Sequence, residues 1–172
     1  LAGRTLGIVG YGALGRGVAR VAEAFGMDVV VANRPGGEPA AGRVDLDALL
    51  PTVDALSLHC PLTPATRGLI GASRLARMKP DAVLINTARG ALVDAAALAA
   101  ALRAGRLGGA AIDVLEQEPP VDGNPLLEPG IPNLIVTPHT AWAARESRQR
   151  CLDELAENVA AFLRGERRNR VD

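Results

Sequence analysis

Along the chain, short apolar runs alternate with stretches in which apolar residues recur every three or four positions. Thr5-Leu6-Gly7-Ile8-Val9 is a continuous apolar run and predicts a strand buried on both faces. After it, Val18, Val21, Ala22 and Phe25 recur at helical spacing, and Gly26 closes that helix. Val-rich Asp28 to Ala32 predicts a second strand. Asn33 to Gly42, dense in Pro and Gly, predicts a loop. A short helical piece, Asp47 to Leu50, precedes a third strand, Ala55 to His59, which Pro61 and Pro64 end. A helix over Ala72 to Met78 leads to a fourth strand, Ala82 to Asn86. The Ala-rich stretch Asp94 to Ala104 predicts a helix stopped by Gly105. Gly109 to Val114 predicts a fifth strand, Glu116 to Pro132 a Pro-rich loop, and Leu134 to Thr137 a sixth strand. Arg145 to Leu163 predicts one long amphipathic helix.

Strands and helices therefore alternate, which predicts an α/β fold: a doubly wound parallel sheet (Rossmann fold) in three α-β-α layers. The 172 residues suit one domain, in which residues 145–172 form a C-terminal helix and tail. Hydrophobic residues make up 48% but aromatics only 2%, so the core must be packed by Ala, Val, Leu and Ile. The chain opens on Leu1 rather than Met, almost directly on a strand, so a piece of a longer protein is expected.

Charge removes some partners. Nineteen basic and nineteen acidic side chains cancel, giving no electrostatic reason to expect nucleic acid or an anionic membrane. The locally basic stretch from Arg164 to Arg170 reads as a solvated helix end favoured by the helix dipole. Cys60 and Cys151 lack metal-ligand spacing, so no metal is expected and a reducing, cytoplasmic setting is the simplest reading. No apolar run is long enough to span a membrane, and no leader pattern is visible.

The first chemistry is the turn Gly10-Tyr11-Gly12-Ala13-Leu14-Gly15, directly after a strand and opening a helix. Gly10 allows the tight turn, Gly12 lets backbone approach a pyrophosphate, and Gly15 lets helix and strand pack closely. Free N–H groups at the helix start then face the anion. At the end of the second strand an acid would grip the ribose of NAD. This chain has Asn33 and Arg34 there. Asn33 does not repel a 2′-phosphate, and Arg34 can pair with one, which favours NADP over NAD. The alternative is a turn-forming Asn33 and a solvent-facing Arg34, with NAD bound.

Three segments at the carboxyl ends of strands carry further candidates: Asn86 to Gly90, Asp113 to Pro119, and Pro138 to Trp142. Singly, Arg89 is an ordinary loop arginine, Glu118 an ordinary loop acid, and His139 a structural histidine. Together they supply what reduction of a 2-keto acid needs. A guanidinium holds the carboxylate and polarises the carbonyl. An imidazole gives or takes the proton, and a carboxylate orients it.

The sequence resembles the cofactor domain of the D-isomer-specific 2-hydroxyacid dehydrogenases. The match runs through Leu6 to Gly12, His59-Cys60-Pro61-Leu62-Thr63, Leu84 to Gly90, Asp113 to Pro119 and Thr137-Pro138-His139, in that order. From His139 to Asn158 it is most similar to the glycerate dehydrogenase or hydroxypyruvate reductase branch. The resemblance implies that Arg89 binds the substrate carboxylate, Glu118 partners the histidine, and His139 is the general acid/base. It implies that Asp113 contacts the nicotinamide carboxamide and that Tyr11, Gly12, Ala13 and Leu14 contact the pyrophosphate. His59, Cys60 and Pro61 match the loop beside the adenosine half, and Thr87, Ala88 and Arg89 the wall beside the nicotinamide. Asn33 departs from the acid of NAD-using members. Trp142 is either a pocket residue or a packing residue.

The implied reaction is hydride transfer between NADP or NAD and C2 of a small 2-hydroxy or 2-keto acid, such as glycerate, hydroxypyruvate or glyoxylate. The resemblance also implies a homodimer through the cofactor domain, and a substrate domain formed mostly by preceding chain, which this sequence lacks. Alternatives are an isolated dinucleotide-binding or dimerisation module without turnover, a co-repressor-like relative, or an enzyme of formate or phosphite. Formate enzymes carry Gln where Glu118 stands, which argues against that one.

Overall fold

In a computed structural model, which describes residues 1–170, the apolar runs become six strands. These are β1 (Thr5–Val9), β2 (Asp28–Val31), β3 (Ala55–Leu58), β4 (Val83–Asn86), β5 (Gly109–Ile112) and β6 (Leu134–Val136). They form one sheet in the order β2-β1-β3-β4-β5-β6, and every neighbouring pair is parallel. Between β1 and β3 the chain reverses its direction across the sheet, which is where open α/β sheets leave a crevice at their carboxyl ends.

The helices are α1 (Ala13–Ala24), α2 (Leu46–Leu49), α3 (Ala72–Leu75), α4 (Ala95–Arg103) and α5 (Arg145–Leu163). Asp45 caps α2 through the N–H groups of Asp47 and Ala48, and Asp94 caps α4 through that of Ala97. Alternate residues of β1 serve opposite faces. Leu6 and Ile8 pack with Ala19 and Ala22 of α1, whereas Val9 joins the larger cluster with Leu49, Leu75, Leu98 and Leu102 from α2, α3 and α4. Among the described residues no aromatic belongs to the buried hydrophobic core, as the composition requires.

Some local expectations change. The predicted helix over 72–78 is helical only to Leu75. Two 3-10 turns, Gly90–Leu92 and Pro125–Leu127, occupy stretches that carry no helical period. On α1 the buried residues are small: Gly15, Ala19 and Ala22. The larger members of the apolar repeat, Val21 and Phe25, are 58% and 60% exposed. Small side chains let the helix axis approach the sheet, and this selects the facing side over the bulkier residues.

The chain divides into two compact units, one from Leu1 to Pro138 and a second that begins at His139. The second unit is α5 with its flanks. Its basic end is largely exposed and carries surface ion pairs: Arg164 pairs with Glu166, and Arg168 folds back to Glu154 of α5. Val171 and Asp172, the end of the predicted tail, lie outside the described residues. No described helix is long and apolar enough to cross a membrane.

Candidate functional site

The glycine turn forms one side of a cleft of about 390 Å³. Gly10, Tyr11 and Gly12 follow β1; Ala32, Arg34 and Pro35 follow β2; His59, Cys60 and Pro61 follow β3. The three glycines have different physical reasons. Gly10 has φ +95°, and a Cβ there would lie 2.4 Å from the Cys60 nitrogen. A Cβ on Gly15 would lie 2.1 Å from the Gly10 carbonyl oxygen. A Cβ on Gly12 would meet nothing within 4 Å. Protein packing thus demands glycine at 10 and 15 but not at 12, where the bare backbone is open to an approaching group. Gly12 is also the N-cap of α1, with no side-chain cap, so the first N–H groups of the helix are available to an anion. These residues fit a dinucleotide phosphate. Ala13 and Leu14 start α1 and do not line the cleft, and Leu14 is 76% exposed.

On the β2 side, Asn33 is engaged locally, its Oδ1 accepting from the Ala40 N–H at 3.1 Å. Arg34 is exposed at the cleft, and a second arginine, Arg43, lines it as well. On the β3 side, His59 is half-buried, and its Nε2 lies 2.9 Å from the Oγ of buried Ser57. Burial holds the imidazole pKa below the ordinary 6.5, so the ring is kept neutral near pH 7. Burial also pushes the Cys60 thiol up, which leaves it protonated and inert.

At the carboxyl end of β4, buried Asn86 builds the arginine turn. Its Nδ2 donates to the Arg89 carbonyl at 2.9 Å, and its Oδ1 accepts from the Ala88 N–H at 3.1 Å. Arg89 is exposed, and its Nη1 donates to the Ala88 carbonyl. Thr87 is exposed and Ala88 half-buried on the same turn. Gly90 brings that turn against the loop after β5, since a Cβ there would lie 2.0 Å from the Leu115 carbonyl carbon. In that loop the Glu118 carboxylate accepts from the Leu115 N–H at 2.7 Å. Asp113, at the end of β5, is buried, and its carboxylate accepts from the Thr137 hydroxyl just beyond β6. The Arg89 and Glu118 segments are thereby brought together at adjoining strand ends. His139 opens the second unit with φ +54°, and its carbonyl accepts from the Trp142 indole at 2.8 Å.

A family model described as the D-isomer specific 2-hydroxyacid dehydrogenase, NAD binding domain, matches residues 1–141. The chain belongs to this family.

Within the D-isomer specific 2-hydroxyacid dehydrogenases, one similar relative is the glycerate dehydrogenase of Methylorubrum extorquens. It is 53% identical over all of this chain and 54% of its own length. The chain thus spans about half the length of the curated relatives it matches. Among solved structures, the NAD-complexed D-isomer specific 2-hydroxyacid dehydrogenase of Lactobacillus delbrueckii ssp. bulgaricus has a TM-score of 0.82 at 33% identity, covering 96% of this chain and 55% of that one. An acyclic imino acid reductase in complex with NADPH and D-Arg has a TM-score of 0.82 at 35% identity, covering 98% and 53%.

The family's motifs are legible in the sequence, but the residues that hold them in place are not. Asn86 and Thr137 stand there inside family motifs but with no role of their own, and Ser57 is an ordinary strand hydroxyl. Arg43 carries no signal beyond its charge. For Ser57 the one available hint is a polar residue within the apolar run Ala55 to Leu58.

Proposed function

We propose that this chain is the dinucleotide-binding part of an NAD(P)-dependent oxidoreductase acting on a small 2-hydroxy or 2-keto acid of the glycerate, hydroxypyruvate or glyoxylate kind. The observation that carries this is the packing of the Arg89 turn on the Glu118 loop through Gly90, at strand ends of the same sheet as the dinucleotide cleft. The similarity to a glycerate dehydrogenase supports the substrate class.

A nicotinamide dinucleotide held at this site would supply hydride for reduction or accept it in oxidation. Arg89 holds the substrate carboxylate through charge-assisted hydrogen bonds and draws electron density from the adjoining carbonyl. His139 delivers a proton to the carbonyl oxygen during reduction and removes it from the hydroxyl during oxidation. Glu118 orients that imidazole. Asp113 binds the carboxamide, and Gly12 with the start of α1 binds the pyrophosphate. NADP is the favoured cofactor, supported by the absence of an acid after β2 and by Arg34 at the cleft. The helix and tail from residue 145 lead toward a substrate-binding domain.

The reading includes a homodimer through the cofactor domain, supported by the apolar Val21 and Phe25 that α1 leaves exposed. Sedimentation of a monomer at micromolar concentration would remove it. A cytoplasmic setting is supported by two free cysteines. The decisive experiment is NAD(P)H-dependent reduction of hydroxypyruvate and glyoxylate by the complete protein, with His139→Ala alongside. Turnover should fall at least about a hundredfold in the variant, the usual worth of a general acid, while cofactor affinity stays. Cofactor binding with no turnover of either acid in the unsubstituted protein would overturn the enzymatic reading.

A further inference from the structure

From the geometry of residues 33–44 we infer that this loop is a two-arginine clip for the 2′-phosphate of an NADP-type dinucleotide, with Arg43 the second cation beside Arg34. The inference rests on the dinucleotide reading above and assigns a specificity residue that the sequence pattern does not reveal. Arg43 lies far along the chain from the end of β2, in a segment that reads as plain loop. It is returned to the strand end by backbone pairing. The Asn33 N–H donates to the Val44 carbonyl at 2.7 Å, the Val44 N–H donates to the Val31 carbonyl at 3.0 Å, and Ala32 and Val44 form a parallel bridge. Inside the loop, the Ala40 N–H donates to Asn33 Oδ1 and the Arg43 N–H to the Ala40 carbonyl. Asn33, the residue that stands where an acid would select NAD, thus organises the loop that carries both arginines.

Both guanidinium-bearing residues line the same 390 Å³ cleft as Gly10 and Gly12, and among the described residues no Asp or Glu lines it. Among the described residues neither Arg34 nor Arg43 has a carboxylate within salt-bridge distance, whereas Arg67, Arg74, Arg103, Arg164 and Arg168 each do. Arg34 rests on the loop's own backbone: a Cβ on Gly37 would lie 3.3 Å from its side-chain carbons. Arg43 is half-buried, so its guanidinium is less screened than a fully exposed one. The other charged candidate on the wall, His59, is held neutral by burial. Two cations in a cleft without an acid favour a dianion over the neutral 2′-hydroxyl of NAD. A bidentate guanidinium on each side of a phosphate is the arrangement for which arginine is suited.

The test is binding rather than turnover. Dissociation constants for NADPH and NADH are measured on the complete protein by fluorescence. Adenosine 2′,5′-bisphosphate and adenosine 5′-monophosphate serve as probes that lack the nicotinamide half. Arg43→Ala is expected to weaken NADPH and the bisphosphate about tenfold, the scale of one hydrogen-bonded charge pair at a partly exposed site, and to leave NADH and the monophosphate within about twofold. Arg34→Ala should do the same, and Arg43→Lys should recover part of the loss. Equal effects of Arg43→Ala on phosphorylated and unphosphorylated ligands, or none on either, would overturn the clip while leaving the dinucleotide reading intact. An unsubstituted protein that binds none of the four ligands would overturn both.

Discussion

Gly90 lies so close to Leu115 that a Cβ on residue 90 would come within 2.0 Å of the Leu115 carbonyl carbon and 2.3 Å of the Glu116 nitrogen. Backbone touches backbone here, so no flexible side chain can yield. The contact locks the turn that presents Arg89 to the loop that presents Glu118. Gly90→Ala must therefore push the two apart. Stability is expected to fall by about 1–3 kcal/mol, the range for overpacking a close contact, as read by urea denaturation. On the proposed function, reduction of 2-keto acids should fall with it, whereas binding of adenosine 5′-monophosphate, which lacks the nicotinamide half, should hold, because the glycine turn lies elsewhere on the sheet. Normal turnover in that variant would show that the two segments need no fixed spacing.

The glycine turn offers a sharper separation of packing from binding. Gly15 abuts the Gly10 carbonyl, and Gly12 faces open space. Gly15→Ala should lower the unfolding free energy by roughly 1–3 kcal/mol. Gly12→Ala should leave it nearly unchanged yet weaken cofactor binding about tenfold or more, since a methyl would stand where the pyrophosphate approaches. Paired melting curves and cofactor titrations check both. Unaltered affinity in Gly12→Ala would mean that the ligand does not approach this backbone.

Asp113 is buried with its carboxylate accepting from the Thr137 hydroxyl. Thr137→Val keeps the shape and removes the donor. A buried carboxylate deprived of one partner costs about 1–3 kcal/mol, so the denaturation midpoint should drop by a corresponding amount. Thr137→Ser should restore it. Equal stability of the valine and threonine forms would show that the hydroxyl does not hold Asp113.

His59 ties stability to pH. Burial lowers its folded pKa below the ordinary 6.5. The fold therefore favours the neutral ring, and its contribution is complete above pH 6.5. As pH falls below that value, the unfolded chain binds a proton that the folded chain refuses, so stability declines until the folded pKa is reached. His59→Gln should flatten this decline. Subtracting the variant's unfolding free energy from that of the unsubstituted protein, between about pH 7.5 and 5, isolates the histidine. A difference that does not change with pH would show that the ring titrates alike in both states.

The alternation of strands and helices, the glycine turn, the parallel sheet and the family motifs were all determined by local sequence. Each depends on short-range periodicity or on a residue type that one backbone conformation demands. Arg89, Glu118 and His139 could be picked out because strand ends in such a fold are where ligands bind. Other features were decided only by the tertiary structure. Whether α1 turns its small or its large apolar residues to the sheet depended on how closely helix and strand approach. Val21 and Phe25 share the helical period with Val18 and Ala22 but remain on the surface. Asn86, Thr137 and Gly90 acquired their roles from atoms contributed by other turns and strands. Arg43 reached the cleft because Val44 pairs with Val31, and such pairing between distant backbone groups leaves no mark in the residues themselves.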